Sequence, residues 1–248
     1  MSNTILSIKD IHKSFDHVTA LDGMSFDIHE GQITAIVGDN GSGKSTLIKI
    51  LSGNIAPDKG SISIDGTDYS SFNINQTLKL GIRTVYQDLS LDNHKNSWEN
   101  VFLGSECMRG PFLNKSYMRS ETLKLIDKLN LHLPDIDLPI RNLSGGQRQG
   151  LAIARALRSA CRILLLDEPT SAMGIKESHM TMELLKHLRA DGITQLLVSH
   201  NIYHVFDVAD RIIVVKAGKC VADVYTEHSS PERIHDMLLE YEHREVSR

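Results

Sequence analysis

The segment Gly38-Asp39-Asn40-Gly41-Ser42-Gly43-Lys44-Ser45-Thr46 constrains this chain more than any other. It follows Ile33-Thr34-Ala35-Ile36-Val37, an apolar, β-prone run that reads as a buried strand. It precedes Leu47-Ile48-Lys49-Ile50-Leu51-Ser52, which reads as the start of a helix ended by Gly53. Strand, glycine-rich turn and helix is the context that a phosphate-binding loop of pattern G-x-x-x-x-G-K-[ST] requires. The glycines let the backbone turn tightly, so successive N–H groups converge into a nest for phosphate oxygens. The helix start adds unpaired N–H groups and a positive dipole end. Lys44 is spaced to reach the β- and γ-phosphates of a nucleotide, and the Ser45 hydroxyl to hold Mg²⁺. Chance supplies the four fixed positions in about one chain of this length in a hundred. The alternative is an ordinary glycine-rich βα turn.

Composition narrows the setting. The chain has 248 residues, of which 41% are hydrophobic, enough for a substantial core. Its net charge of −4 leaves no basic face dense enough to suggest nucleic acid as a partner. Cys107, Cys161 and Cys220 are odd in number and widely spaced, so they suggest neither a metal cluster nor a disulfide framework and point to a reducing cytosol. The start, Met1-Ser2-Asn3-Thr4, lacks the basic and apolar regions of a signal peptide. No apolar run approaches the roughly 20 residues needed to span a bilayer. Work at a membrane would go through a partner.

Along the chain, residues 5–30 alternate in strand fashion, with turns expected at Asp22-Gly23 and Glu30-Gly31. Phe15 is expected on the turn between the first two strands, where its ring suits either stacking on adenine or a place in the core. Beyond the loop helix, Pro57 to Gly60 reads as a turn, Ser61 to Ile64 as a short strand and Asp65-Gly66 as another turn. Ile82 to Tyr86 reads as a strand ending at Gln87, which either reaches Mg²⁺ or the attacking water, or is an ordinary loop residue. Residues 97–160 turn helical, with Leu123, Ile126 and Leu129 at helical spacing and Pro111, Pro134 and Pro139 as interruptions. This looks like a helical subdomain inserted between strands of a nucleotide-binding core.

Leu143-Ser144-Gly145-Gly146-Gln147 opens a helix running from Arg148. Ser144 is an N-cap residue type, and the paired glycines leave N–H groups open at a helix start. It is a second phosphate-binding end. The alternative, a capped surface helix, does not explain the two glycines. Ile163 to Leu166 is a buried parallel strand capped by Asp167-Glu168. Two carboxylates at such a strand end are costly unless they serve a site. Asp167 fits the role of holding Mg²⁺, and Glu168 that of a general base for attacking water. Gln195 to Val198 is a further strand ending at Ser199-His200; the histidine is placed for a γ-phosphate contact, with a structural role as the alternative. Arg211 to Val215 and Cys220 to Asp223 read as an edge hairpin, and the chain from Pro231 as an amphipathic helix. Gly150, inside the helix opened by Leu143 to Gln147, costs about 1 kcal/mol relative to alanine and hints at close packing.

Taken together, Gly38 to Thr46, Gln87, Leu143 to Gln147, Leu164 to Glu168 and His200 resemble an ATP-binding cassette ATPase in order and spacing, over nearly the whole chain. The resemblance implies a P-loop NTPase core of mostly parallel sheet with flanking helices, an N-terminal antiparallel β subdomain and an inserted helical subdomain. It implies one α/β domain over residues 1–248, with core and β subdomain in about 1–90 and 160–248 and the helical subdomain in about 91–159. In the family, ATP lies between the phosphate loop of one subunit and the signature (here Leu143 to Gln147) of the other. The implied cofactors are ATP and Mg²⁺. Phe15, Gly38 to Thr46, Gln87 and Ser144 to Gln147 would contact the nucleotide. Ser45, Gln87 and Asp167 would hold the metal. Lys44, Glu168 and His200 would be catalytic. A two-fold, head-to-tail pair with a second copy joins the two phosphate-binding ends reciprocally.

The wording around the motifs narrows the resemblance to the simple-sugar importers of bacteria: Gly38-Asp39-Asn40-Gly41, Val85-Tyr86-Gln87-Asp88-Leu89, Val101-Phe102-Leu103-Gly104, and Pro169 to Ser178. Many importers of that group carry two fused cassettes; this chain holds one and is expected to homodimerise. The resemblance further implies transmembrane permease subunits and, indirectly, a periplasmic or extracellular sugar-binding protein. The place it implies is the cytoplasmic face of the bacterial inner membrane, peripherally bound. One departure stands out. Family members usually read Ser-Ala-Leu-Asp after the catalytic glutamate, whereas here the run is Ser171-Ala172-Met173-Gly174. Gly174 has no side chain to link the two sites across a dimer.

Overall fold

A computed structural model describes residues 3–171 and 173–246, with side chains through Leu239. Met1 and Ser2 of the leader reading, and Ala172 of the segment after Glu168, lie outside the described residues.

Thr4–Phe15 (β1) and Val18–His29 (β2) form a long antiparallel hairpin. Ile33–Val37 (β3) follows, every residue buried, and passes through the phosphate loop into Lys44–Leu51 (α1). Lys59–Ile64 (β4) pairs with β1, Thr67–Tyr69 (β5) pairs with β4, and Ile74–Lys79 (α2) leads into Ile82–Val85 (β6). Next come Ser97–Val101 (α3), a small hairpin of Met108–Arg109 (β7) and Phe112–Leu113 (β8), Lys115–Lys128 (α4) and Gly145–Leu157 (α5). Ile163–Asp167 (β9), Ile175–Ala190 (α6), Thr194–Val198 (β10), Ile202–Val208 (α7), Arg211–Lys216 (β11), Lys219–Tyr225 (β12) and Pro231–Val246 (α8) complete the described chain.

Among the described residues one sheet runs β2-β1-β4-β5 and is antiparallel throughout; the main sheet runs β12-β11-β3-β10-β9-β6. In the main sheet only the β11–β12 pairing is antiparallel. The register aligns the strand ends: Val198 faces both Ile36 and Asp167, Val85 faces Leu166, and Val214 faces Val37. Every loop that leaves the carboxyl end of a parallel strand therefore emerges along one edge, the edge where open α/β sheets bind ligands. Apolar side chains cover both faces. One core packs Leu6, Leu21, Ile48 and Leu165 between the two sheets, and another packs Leu164, Leu185 and Leu197 beneath α5 and α6. A third, around Trp98, Phe102, Met118, Ile140 and Leu151, lies in the segment between β6 and β9. There Trp98 Nε1 donates to Asp137 Oδ1 at 2.9 Å.

Several expectations are corrected. Asp22-Gly23 is not a turn: it lies inside β2, where the ladder slips register between Ile11 opposite Met24 and His12 opposite Asp22. Gly23 takes φ +77° there, so the dipeptide forms a bulge that keeps the strand going. Lys59 and Gly60 already belong to β4, not to a turn. Leu123 is 51% exposed, because α4 turns Met118, Thr122 and Ile126 inward instead. Pro111 sits in the β7–β8 hairpin, which lacks the length or alternation that betrays a strand in sequence. The C-terminal hairpin is an edge only through β12; β11 is held between β12 and β3.

Candidate active site

The phosphate loop fills the gap between the end of β3 and the start of α1 because three of its positions tolerate no side chain or bend the chain the other way. A Cβ on Gly38 would sit 2.1 Å from the Val215 carbonyl oxygen. Gly43, at φ +103°, would drive one to 2.4 Å from the Ala20 oxygen, and Gly41 has φ +84°. The loop thus lies flat on the sheet end with its N–H groups converging. Lys44 is only 7% exposed and folds over its own loop, donating to the Gly38 and Asp39 carbonyls at 2.7 and 2.8 Å. Burial lowers its pKa, opposed by the charges of Glu168, Asp39 and Asp167. A buried ammonium held by carbonyls alone is a ready partner for phosphate oxygens. Ser42 Oγ is buried without a hydrogen-bond partner, another polar atom awaiting one.

A cleft of about 590 Å³ opens over this loop. It gathers Gly38 to Gly41, Gly43 to Thr46, Gln87 from the end of β6, Glu168 from the end of β9 and His200 from the end of β10. Ser45 Oγ donates to Asp167 Oδ1 at 3.4 Å. Burial pushes the Asp167 carboxyl up, the neighbouring Glu168 adds to that, and Ser45 and Lys44 oppose it. A buried carboxylate beside a hydroxyl and short of positive charge fits a hard divalent cation with oxygen ligands. Among the described residues no group of three or more His, Cys, Asp or Glu is placed to hold a metal ion.

Glu168 takes φ +52°, a left-handed conformation that costs a residue with a side chain of order 1 kcal/mol. Its N–H is held by the Val198 carbonyl at 2.9 Å, and its Oε2 accepts from His200 Nδ1 at 2.6 Å. Glu168 lines the cleft just past the end of β9. The His200 side chain is 62% exposed and lines the cleft.

Phe15 is not a core residue either. It ends β1 at 45% exposure, with Lys13 Nζ 5.5 Å above its ring, and it is Val18, its cross-strand partner, that lines the cleft. Ala20, Ile202, and His235 and Leu238 of α8 line it too. Sequence reading missed these four and Val18. The alternation Val18, Ala20 on one strand face is a signal that could have found two of them. The contribution of α8 depends on a tertiary tie, Lys216 Nζ to the Leu238 carbonyl at 2.5 Å with Asp39 Oδ2 3.4 Å from the same ammonium.

The signature residues stand apart. Ser144 caps α5 in a reciprocal box: Gln147 N donates to Ser144 Oγ at 3.4 Å, and Ser144 N to Gln147 Oε1 at 3.0 Å. Gln147 Nε2 also donates to the His132 carbonyl at 2.8 Å, so its amide serves the subdomain's own structure. Ser144 to Gln147 are absent from the lining of the phosphate-loop cleft; Gly145 instead borders a neighbouring cleft of about 300 Å³ that shares Gln87 and Glu168. Arg155 joins the two regions, donating from α5 to the Leu89 and Ser90 carbonyls just beyond Gln87 at 2.6 and 2.8 Å. Gly150 is packed as its position hinted: a Cβ there would meet Leu131 Cδ2 at 2.7 Å.

Residues 21–171 match the ABC transporter family. The xylose/arabinose import ATP-binding protein XylG of Sulfolobus acidocaldarius is 42% identical, over 96% of this chain and 94% of its own. The fructose import ATP-binding protein FrcA of Rhizobium meliloti is 38% identical, over 87% and 86%. The ribose import ATP-binding protein RbsA of Clostridium tetani is 34% identical over 94% of this chain, which spans only 46% of that one. Among solved structures, a nucleotide-free ATP-binding cassette from an ABC transporter superposes with TM-score 0.82 and 27% identity over 96% of each chain. The dimeric post-hydrolysis cassette MJ0796 bound to ADP and Pi superposes with TM-score 0.76 and 29% identity, over 90% of this chain and 99% of that one.

Proposed function

This chain belongs to the ABC transporter family, and on that premise we propose that it is the ATP-hydrolysing subunit that drives import of a simple sugar. The observation that carries the reading is the single cleft in which Lys44, Gln87, Glu168 and His200 meet over a phosphate loop, in a chain matched nearly end to end by sugar-import ATP-binding proteins.

The chemistry follows from the residues. The loop N–H groups and the Lys44 ammonium bind the β- and γ-phosphates and neutralise charge that builds on them. Ser45 and Asp167, with Gln87 nearby, would hold Mg²⁺, which when bound neutralises phosphate charge. Glu168, fixed by His200, accepts a proton from the water that attacks the γ-phosphorus; the bond to the β-phosphate oxygen breaks, and ADP and phosphate result. Phe15 stands beside the Val18 wall as a stacking surface for the base.

A phosphate-binding helix end that lies outside the cleft is of use to a second copy. Head-to-tail pairing would lay the Ser144–Gly146 end of one subunit over the nucleotide of its partner. ATP then joins the subunits, and its hydrolysis loosens them. Among the described residues no helix is long and apolar enough to cross a membrane. The pair would act on transmembrane permease subunits at the cytoplasmic face of the membrane, with a sugar-binding protein on the far side. The helical segment from α3 to α5 serves as the arm between the cleft and those partners. Relatives named for xylose/arabinose, fructose and ribose all share this cassette, so the choice of sugar rests with the partners.

The test is a pull-down of tagged chain from native membranes, with the bound chains identified by mass. Recovery of a polytopic membrane protein with a sugar-binding protein is the expected outcome. Recovery of soluble partners alone would overturn the transport reading and leave the ATPase chemistry standing.

A further inference from the structure

The phosphate-binding end of α5 already carries an anion, supplied by its own chain. Glu177 lies in the first turn of α6, three residues after Gly174. It packs directly on the signature: a Cβ on Gly145 would meet Glu177 Oε2 at 3.2 Å, and one on Gly146 would meet Glu177 Cβ at 3.2 Å. The same Oε2 accepts from the Gly174 N–H at 3.4 Å. The Ser144 hydroxyl, first, and then the N–H groups of Gly174, Gly146 and Gly145 lower the Glu177 pKa from its ordinary value.

These donors are the ones on which the head-to-tail reading depends. A helix N-terminus offers about half a unit of positive charge. It cannot satisfy a glutamate carboxylate and a γ-phosphate together, and the two anions repel. Gly174 supplies no side chain that could hold Glu177 elsewhere, and it gives Glu177 only an N–H.

Resting on that reading, we propose that Glu177 is a built-in competitor for the signature: its carboxylate lies against the Gly145–Gly146 helix start while the dimer is open, and the partner-bound γ-phosphate must displace it for closure. The exchange has two consequences. It raises the ATP concentration needed to bring two subunits together. It also favours reopening, because Glu177 returns to the helix start once phosphate leaves. Glu177 is thus a positioning residue acting through the signature, with no contact to the nucleotide.

The experiment uses the full chain in a Glu168→Gln background, where ATP is bound without turnover. Dimer formation is followed by sedimentation across an ATP titration, with and without Glu177→Gln. Glutamine keeps an acceptor oxygen for Gly174 and Ser144 but carries no charge. The expected result is a midpoint about fivefold or more lower in ATP, with monomer affinity for ATP, read in the Ser144→Arg variant, unchanged by the same substitution. Glu177→Asp, one methylene too short to reach both glycines while capping α6, should lower the midpoint too; this keeps the test open if the glutamine variant folds poorly. An unchanged or raised midpoint overturns the competitor role. Failure of Glu168→Gln itself to dimerise at any ATP concentration would instead remove the head-to-tail reading beneath it.

Discussion

His200 Nδ1 lies 2.6 Å from Glu168 Oε2, joining the ends of two neighbouring parallel strands across 32 residues of sequence. A carboxylate can only accept, so Nδ1 carries the proton and the ring is held in one tautomer. The pair fixes the carboxylate that takes the proton from water.

Glu168→Gln should keep ATP binding and lose turnover by about 10²- to 10⁴-fold, the usual worth of a positioned base. His200→Ala should also slow turnover, by up to about 10²-fold, since the carboxylate loses its orienting partner. Phosphate release and equilibrium nucleotide binding, measured on the same preparations, separate chemistry from affinity. Turnover by Glu168→Gln near the parent rate would contradict its role as base.

Ser144→Arg should abolish hydrolysis while changing monomer affinity for a nucleotide analogue by less than about twofold, because Ser144 lies outside the phosphate-loop cleft. Fluorescent-nucleotide titration of dilute protein reads the monomer. If binding collapses there, the signature acts within one chain and the dimer argument fails.

Arg155→Met should lower stability by about 1 to 2 kcal/mol, since a charged donor to two carbonyls is lost and the Leu89 carbonyl is left half-buried, while the exposed Ser90 carbonyl turns to water. The urea midpoint reads this. Because the same arginine ties α5 to the segment after Gln87, ATPase activity should fall further than the loss of folded protein accounts for. Full activity at the lowered stability would show that the tie is structural alone.

Cys161 lies half-buried against the core beneath α5 and α6, and burial pushes its thiol up to about 11 from 9.0. The folded chain keeps this proton to higher pH than the unfolded chain does. Stability linked to it is therefore complete below pH 9 and declines as pH rises from about 9 to about 11. Cys161→Ala should flatten the fall in urea midpoint over that window, and alkylation of Cys161 at pH 8 should be slow until the chain unfolds. An equal pH dependence in both chains would show that the thiol is not linked to folding.

The motifs were legible because each is a short stretch whose chemistry is largely its own. Gly41 and Gly43 announce a tight backbone turn, Ser144 a helix N-cap, and Ile163 to Leu166 a strand buried on both faces. Reading failed where a local signal has two tertiary outcomes. Asp22-Gly23 looks like a turn, yet β1 runs on beside it and absorbs the extra residue as a bulge. Leu123 keeps helical spacing with Ile126, yet α4 has its other side against α3 and α5.

By itself, then, the sequence determined the parts list: a phosphate loop between strand and helix, a second helix end made for phosphate, two acids and a histidine at strand ends. These follow from backbone freedom and hydrophobic period within a few residues, which no partner needs to supply. Only the tertiary structure decided which parts meet. Parallel register set Glu168 against His200, β11 and Lys216 brought Leu238 to the cleft wall, and the packing of α6 on α5 laid Glu177 over Gly145 and Gly146. Those contacts join side chains distant in sequence, and the strand order and helix packing that create them are properties of the whole buried core.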